Sequence, residues 1–420
     1  MVSLIIARSM CEHIPPSHNV HGNTSVQAMR FTSPEGGRNA SAVSLANFSY
    51  LLRVLLLHTF AVVLLSSLSA WAFCPSLPAL TPLLAQKTFA IPRISTPCSR
   101  FTSASTALKM GLLYEAKAGT PLLEAMSQAI GQALHNDAKA TVLEPTGGGG
   151  FAGGGGANTG VAEDRKVGEK YFYKSTGSWG LDMLLAEYKG TKAMYDTHTI
   201  RVPTPVAVGT SDAQAFVVFE YLAMGGTRGD AAGRMGRELA QMHRHTSKNG
   251  QFGWDIDNTI GATPQPNGWQ ASWVEFWDEK RLGHMLKLCR REGHDFGQVE
   301  RELRAKVKQI LSEDGYSPAP SLLHGDLWTG NVAATGEGVP CIFDPAVYYG
   351  DREADLAMTA LFGSLAPAFY TAYMEEWPLE PGYEKRKVVY NLYHILNHIV
   401  LFGGGYRSQA QRMIDQILKM

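Results

Sequence analysis

Residues 324–331 read His324-Gly325-Asp326-Leu327-Trp328-Thr329-Gly330-Asn331, and Cys341-Ile342-Phe343-Asp344-Pro345 follows close behind. Together they set an acid and a carboxamide five positions apart, and a second acid eighteen positions after the first. Cys341 to Phe343 is apolar and reads as a short buried strand, which puts Asp344 where a strand gives way to a turn. A carboxylate there can face the 324–331 loop and, with Asn331, offer oxygen donors to a hard cation such as magnesium. His324 reads as a structural member of the loop. Upstream, Thr141–Leu143, Lys170–Lys174 and the continuous apolar run Ala215–Leu222 read as strands, with Pro203 and Pro205 breaking the chain between the last two. Helical spacing of apolar residues marks 121–134, 181–195, 231–245, 273–291, 300–313, 351–362 and 384–402. Strands come first and helices dominate afterwards. That order predicts an α+β chain of two lobes, a small sheet-based one over 111–222 and a larger, mainly helical one over 223–420.

Phosphoryl transfer asks little covalent chemistry of a protein. It asks for a base that orients the nucleophile, metal ions on the phosphate oxygens and a positive charge on the nucleotide. The separation of Asp326 and Asn331 equals that of the base and the metal-ligating asparagine in the kinase signature His-Arg-Asp-x-x-x-x-Asn. Asp326 is therefore the expected catalytic base, and Asn331 and Asp344 the expected magnesium ligands. Lys174, on the strand after a glycine run, is placed to pair with ATP phosphates and with an acid on the next helix. Glu187 is the chosen acid, with Asp182 and Glu169 competing. Eight of the ten residues 147–156 are glycine. Backbone amides there, Gly147, Gly148 and Gly149 first, could approach phosphate closely, although a plain glycine-rich linker has the same composition. Glu220-Tyr221-Leu222 ends the buried strand ahead of Gly225-Gly226 and is the candidate hinge against adenine. Each part has a plainer reading: an Asp-x-x-x-x-Asn pair arises by chance, and a strand-ending Asp is commonly a turn residue. The joined strings do not arise that way.

The bulk composition excludes other classes. Lys plus Arg equals Asp plus Glu at 38 each, so the chain lacks the basic balance of a nucleic-acid binder. Its five cysteines, at 11, 74, 98, 289 and 341, have neither zinc-site nor redox spacing. Residues 1–110 read as an address and not as fold. Over 50–73 a basic residue, the apolar run Val54–Leu65 and an Ala-x-Ala site at Ala70 and Ala72 have the build of a secretory signal. Residues 74–110 carry Lys87, Arg93, Arg100 and Lys109, many hydroxyl residues and no acid, as transit peptides do. The pair resembles the two-part presequence of algae with secondary plastids, with Ala-Trp-Ala-Phe-Cys-Pro matching that group's cleavage motif. The expected location is the plastid stroma. A retained membrane anchor, a cytoplasmic protein and a disordered tail without an address are the alternatives.

From Leu112 to Met420 the chain resembles the fructosamine kinase, or ketosamine-3-kinase, family. The resemblance rests on the loop already quoted and on Gly253-Trp254-Asp255-Ile256-Asp257-Asn258-Thr259-Ile260-Gly261. It also rests on Trp273-Val274-Glu275-Phe276-Trp277, on Asp344 to Leu356, and on Asn391-Leu392-Tyr393-His394-Ile395-Leu396-Asn397-His398. It implies a protein-kinase-like fold related to the aminoglycoside and choline kinases. It implies an enzyme that uses ATP and Mg2+ to phosphorylate the third-carbon hydroxyl of ketosamines, after which the unstable phosphate leaves and the amine is regenerated. Plant and bacterial members are similar in preferring ribulosamine and erythrulosamine adducts. Carried over, Asp326 is the proton acceptor, Asn331 and Asp344 hold metal, Lys174 and Glu187 orient phosphate, and Glu220 to Leu222 bind adenine. Trp254, Asp255 and Asp257 are read as lining the sugar site, against a structural turn; Trp328 packs either on the sugar or in the core. Many members carry a cysteine in the glycine-rich loop that links dimers. This chain has none there, so a monomer without a covalent dimer is expected, acting on glycated protein amines or small ketosamines and on no nucleic acid or membrane. A kinase of another hydroxylated amine, such as an aminoglycoside, and a nucleotide-binding pseudokinase are the competing functions.

Overall fold

The computed structural model describes residues 113–134, 143–145, 157–225 and 230–420. The segment 1–110 expected to be a presequence, the glycine-rich run with Gly147, Gly148 and Gly149, and Gly226 lie outside these residues.

The first lobe is one six-stranded sheet. Its strands are β1 (Leu113–Glu115), β2 (Leu143–Pro145), β3 (Asn158–Asp164), β4 (Lys170–Gly177), β5 (Pro205–Ser211) and β6 (Gln214–Glu220), in the order β1-β5-β6-β4-β3-β2. β1 runs parallel to β5; the other pairs are antiparallel. Helix α1 (Leu122–Ala133) covers one face and α2 (Leu181–Tyr195) the other. β6 shows why its sequence is apolar throughout instead of alternating. Phe216 and Val218 pack with Met126 and Ile130 of α1, whereas Ala215, Val217 and Phe219 pack with Leu184, Leu185 and Tyr188 of α2. A strand covered on both faces has no solvent side to leave polar. Pro205, expected to break the chain, instead opens β5. The first residue of a strand is where a missing N–H costs least.

After β6 the chain passes through Tyr221 and Leu222 into β7 (Met224–Gly225), which pairs with β11 (Val332–Thr335); β11 pairs in turn with β12 (Pro340–Ile342). The link between lobes is thus tied to the strands that flank the Asp344 loop.

The second lobe is mainly helical. Its helices are α3 (Ala231–His243), α4 (Trp273–Phe276), α5 (Gly283–Arg291), α6 (Val299–Leu311), α7 (Glu353–Met358), α8 (Pro367–Glu376), α9 (Tyr383–Phe402) and α10 (Arg407–Lys419). The short hairpin β8–β9 (Asn258–Ile260, Thr263–Gln265) and the antiparallel pair β10 (Ser321–Leu323) and β13 (Tyr348–Gly350) carry the loops. Asp230 caps α3 by accepting from the Gly233 amide at 3.0 Å. The core gathers around α9, whose Tyr390, Tyr393 and Leu396 meet Trp273, Trp277 and Leu286.

The helix expected over 273–291 is present but widens to π-helical form over Trp277–Leu282. Both Trp277 and Arg281 are buried there. The Arg281 guanidinium lies 4.0 Å over the Tyr348 ring and donates to the Asn267 side chain at 2.7 Å. The expected helix over 351–362 shortens to Glu353–Met358; ahead of it the buried Asp351 accepts from the Glu353 amide at 2.9 Å. Cys289 and Cys341 are both buried. No helix among the described residues is long and apolar enough to cross a membrane.

Candidate active site

β10 delivers the chain into His324-Gly325-Asp326. The turn is held from below by Asp355, in the first turn of α7, whose carboxylate accepts from the His324 amide at 2.7 Å and the Gly325 amide at 2.9 Å. His243, at the end of α3, lies 3.2 Å from the same carboxylate through Nε2 and 2.8 Å from the Tyr373 hydroxyl through Nδ1. Burial alone would raise the Asp355 pKa, but the His243 hydrogen bond and charge, His324 and the Gly325 amide hold it below the ordinary carboxylate value. Gly325 has φ of +81°, and a Cβ there would run into the Ala346 carbonyl, so only glycine fits.

His324 joins two loops. Its Nε2 donates to the Phe343 carbonyl at 2.9 Å, and its Nδ1 accepts from the Asp326 amide at 3.2 Å. That pattern uses the neutral ring, and burial pushes the His324 pKa down accordingly. Asn331 makes a second tie. Its Nδ2 donates to the Asp326 carbonyl at 2.8 Å, to the Asp326 carboxylate at 3.4 Å and to the Asp344 carbonyl at 3.4 Å. Asp344 itself sits in the left-handed region at φ of +57°. From the sheet lobe, Lys174 reaches Glu187 of α2 at 2.7 Å and Asp344 at 2.8 Å. Burial would lower the lysine pKa, but these two carboxylates outweigh it and keep the ammonium charged. Of the three acids considered for this pairing, Glu187 makes it, and Glu169 instead accepts from the Tyr171 hydroxyl at 2.8 Å.

Lys174, Glu187, Asp326, Asn331 and Asp344 line one cavity of about 210 Å³, and Trp328 joins them. Burial, and after it the Asp344 charge, push the Asp326 carboxyl up to about 7, with the Asn331 hydrogen bond pulling the other way. A base poised near neutrality suits proton acceptance from an alcohol. A second, more apolar cavity of about 410 Å³ shares Glu187 and Asp344 with the first and is bordered by Phe172, Phe219, Tyr221, Leu222 and Met224. Glu220 also borders this cavity, but its carboxylate is engaged: Arg201 pairs with it, and the Thr204 hydroxyl donates to it at 2.6 Å. Any adenine contact along 220–222 would therefore fall to the backbone and to Tyr221 and Leu222.

A magnesium ion fits this donor set. Asp344 keeps its second carboxylate oxygen clear of Lys174, which bonds the first. Asn331 donates to the protein through its nitrogen, which leaves its carbonyl oxygen for a cation. One carboxylate and one amide oxygen, completed by phosphate and water, is a usual environment for this ion.

Part of the expected sugar site is placed differently. Trp254, Asp255 and Asp257 do not line the cavity. Asp257 accepts from the Asn267 amide at 2.7 Å, Asp255 lies 3.3 Å from the Trp269 indole nitrogen, and Trp254 packs 5.5 Å from the Tyr349 ring. Asp255 and Asp257 brace the base of the β8–β9 hairpin, and the residues that it presents to the cavity are Asn258, Thr259 and Gly261. Those three lie within the quoted motif, but Asn258 and Thr259 are consecutive, so strand alternation does not single them out. Met183 and Ala186 of α2 also line the cavity, four residues and one residue before Glu187 on the same helix.

A base, a lysine–glutamate pair and two oxygen donors meeting between a small sheet lobe and a helical lobe define a phosphotransferase of the protein-kinase-like fold. A model described as fructosamine kinase matches residues 124–420, and the chain belongs to that family. It is 50% identical over 252 residues to a protein of Synechocystis sp. described as a probable ketoamine kinase, covering 60% of this chain and 84% of that one. It is 43% identical over 251 residues to the chloroplastic protein-ribulosamine 3-kinase of Oryza sativa subsp. indica, covering 60% and 73% respectively. A crystal structure described as a fructosamine-3-kinase, from Haemophilus somnus 129PT, superposes with a TM-score of 0.63 at 30% identity, covering 70% of this chain and 96% of that one.

Proposed function

We propose that this enzyme is an ATP- and Mg2+-dependent ketosamine-3-kinase that phosphorylates the third-carbon hydroxyl of ribulosamine-type adducts on glycated amines and proteins. The observation that carries the reading is the meeting of Asp326, Asn331, Asp344 and Lys174 on one cavity, with the Asp326 carboxyl near neutrality. Asp326 accepts the proton of the sugar hydroxyl as its oxygen attacks the terminal phosphorus of ATP, and ADP leaves. Lys174, fixed by Glu187, holds the nucleotide phosphates. Asn331 and Asp344 would hold magnesium, which neutralises charge on the phosphate oxygens. The nucleotide base enters the apolar cavity bordered by Phe172, Leu222 and Met224.

A 3-phosphate on such an adduct is prone to elimination of phosphate, and hydrolysis of the remaining carbon–nitrogen bond by water frees the amine, so the cellular role is deglycation. The plastid is its proposed site, supported by the two-part presequence pattern and by the chloroplastic rice relative. The test is a substrate panel: phosphate transfer from ATP to a ribulosamine of lysine, measured beside an aminoglycoside. Transfer to the ribulosamine is expected. Transfer to the aminoglycoside alone would replace this reading with the drug-kinase one, and transfer to neither would favour a pseudokinase.

A further inference from the structure

Trp328 lines the cavity around Asp326 and begins a series of ring contacts that runs away from it. The indole packs on the bare Cα of Gly330, where a side chain would collide with it, and keeps 36% of its surface exposed. Its edge meets Phe362 with ring centres 6.4 Å apart; Phe362 stacks on His398 at 4.4 Å; His398 meets Phe402 at 5.3 Å and Tyr406 at 4.8 Å. His398 and Phe402 stand one turn apart on the same face of α9. Phe402 closes the helix and is 67% exposed. A run of rings thus leads from the catalytic cavity to open surface. An aromatic side chain left that exposed does no core packing, and an apolar patch continuous with a cavity marks a binding surface.

Resting on the ketosamine reading, we infer that this strip is the subsite for the amine-bearing half of the acceptor: the lysine stem and adjoining polypeptide of a glycated protein. Connectivity within the acceptor fixes the placement. The nitrogen hangs on the first carbon, and the third carbon carries the hydroxyl that must lie at Asp326. The amine is therefore held within a few bonds of that carboxylate, beside Trp328. It is a protonated secondary amine, and an exposed indole face attracts such a cation. A lysine adduct continues as a four-carbon stem, whose methylenes cover aromatic surface well. The apolar cavity that shares Asp344 is taken by the nucleotide in the same reading and touches neither Asp326 nor Trp328. Burial keeps His398 below the ordinary histidine pKa, so the strip adds no like charge against the ammonium.

The test is Phe402→Ser, at a position exposed enough for the fold to survive, in the full-length enzyme with ATP and magnesium. Steady-state kinetics compare the ribulosamine of methylamine with ribulosylated lysine inside a short peptide. KM for the peptide is expected to rise roughly tenfold as the apolar contact is lost, while KM for the methylamine adduct stays within about twofold, since it never reaches the ring. Phe402→Trp should restore the peptide value. An unchanged peptide KM, or an equal loss on both acceptors, overturns the subsite. A wild-type enzyme inert toward both adducts overturns the ketosamine reading, and the subsite falls with it.

Discussion

At the scale of single residues, the site depends on carboxyl groups whose surroundings push them apart. Asp326, half-buried at the cavity, is raised to about 7, whereas the fully buried Asp355 is held low by its hydrogen bonds. In the proposed reaction the first takes a proton while the second stays ionised as a brace. Replacing Asp326 by alanine removes the proposed acceptor together with its 3.4 Å hydrogen bond from Asn331. Turnover should drop on the order of a thousandfold, while ATP affinity, measured by titration of the inactive variant, stays near that of wild type. Retained turnover would show that another group takes the proton. His394 gives the pH dependence of stability. Burial, followed by the nearby His398, pushes its pKa down to about 3. The unfolded chain takes up the proton near pH 6.5 and the folded one only near 3, so acid favours unfolding across the interval between them. Stability from this group is complete above about pH 6.5 and is lost progressively as pH falls. Between pH 7 and pH 5 the loss should be about 2 kcal/mol. Urea unfolding at both pH values, compared between wild type and His394→Asn, checks this: the variant should lose less on acidification.

At the scale of elements, α9 is locked to α7 by a buried, two-pronged ion pair. Arg386 donates to Glu353 at 2.7 and 2.9 Å, and the Arg386 guanidinium lies 3.6 Å over the Tyr316 ring. Arg386→Met strands a buried carboxylate and should cost roughly 3–5 kcal/mol. Adding Glu353→Met should return much of that, and chemical unfolding of the two variants makes the comparison. A double variant no more stable than the single one would refute the pair as the source. The elements also divide by how much sequence reveals them. α2 was legible to its ends because Leu184, Leu185 and Tyr188 recur at helical spacing over an unbroken run. β3 and β5 were not: one follows a glycine run and the other starts on proline, and both signals read locally as loop although sheet pairing overrides them. α10 lies behind Gly403–Gly405, which reads as a terminus. The segment from Gly253 to Gly261 is recognisable, but the packing that engages Asp257 with Asn267 and Asp255 with Trp269, and leaves Asn258 and Thr259 at the cavity, has no local signal.

At the scale of the whole molecule, the proposed address over residues 1–110 lies ahead of the stretch that the family model matches. A fluorescent protein fused behind residues 1–110 should reach the plastid, and a chain lacking those residues should keep the kcat of the full-length protein. Cytoplasmic fluorescence would refute the address, and lost turnover in the shortened chain would show that the segment serves the catalyst. Between the lobes, the Lys174–Asp344 bond crosses from sheet to helical lobe, and β7 is fastened to β11. His324, by contrast, is shared by the turn that carries Asp326 and the turn that carries Asp344. A hinge motion can therefore part lysine from aspartate without parting the two aspartates. Nucleotide can come and go through a jaw whose lower teeth stay in fixed alignment.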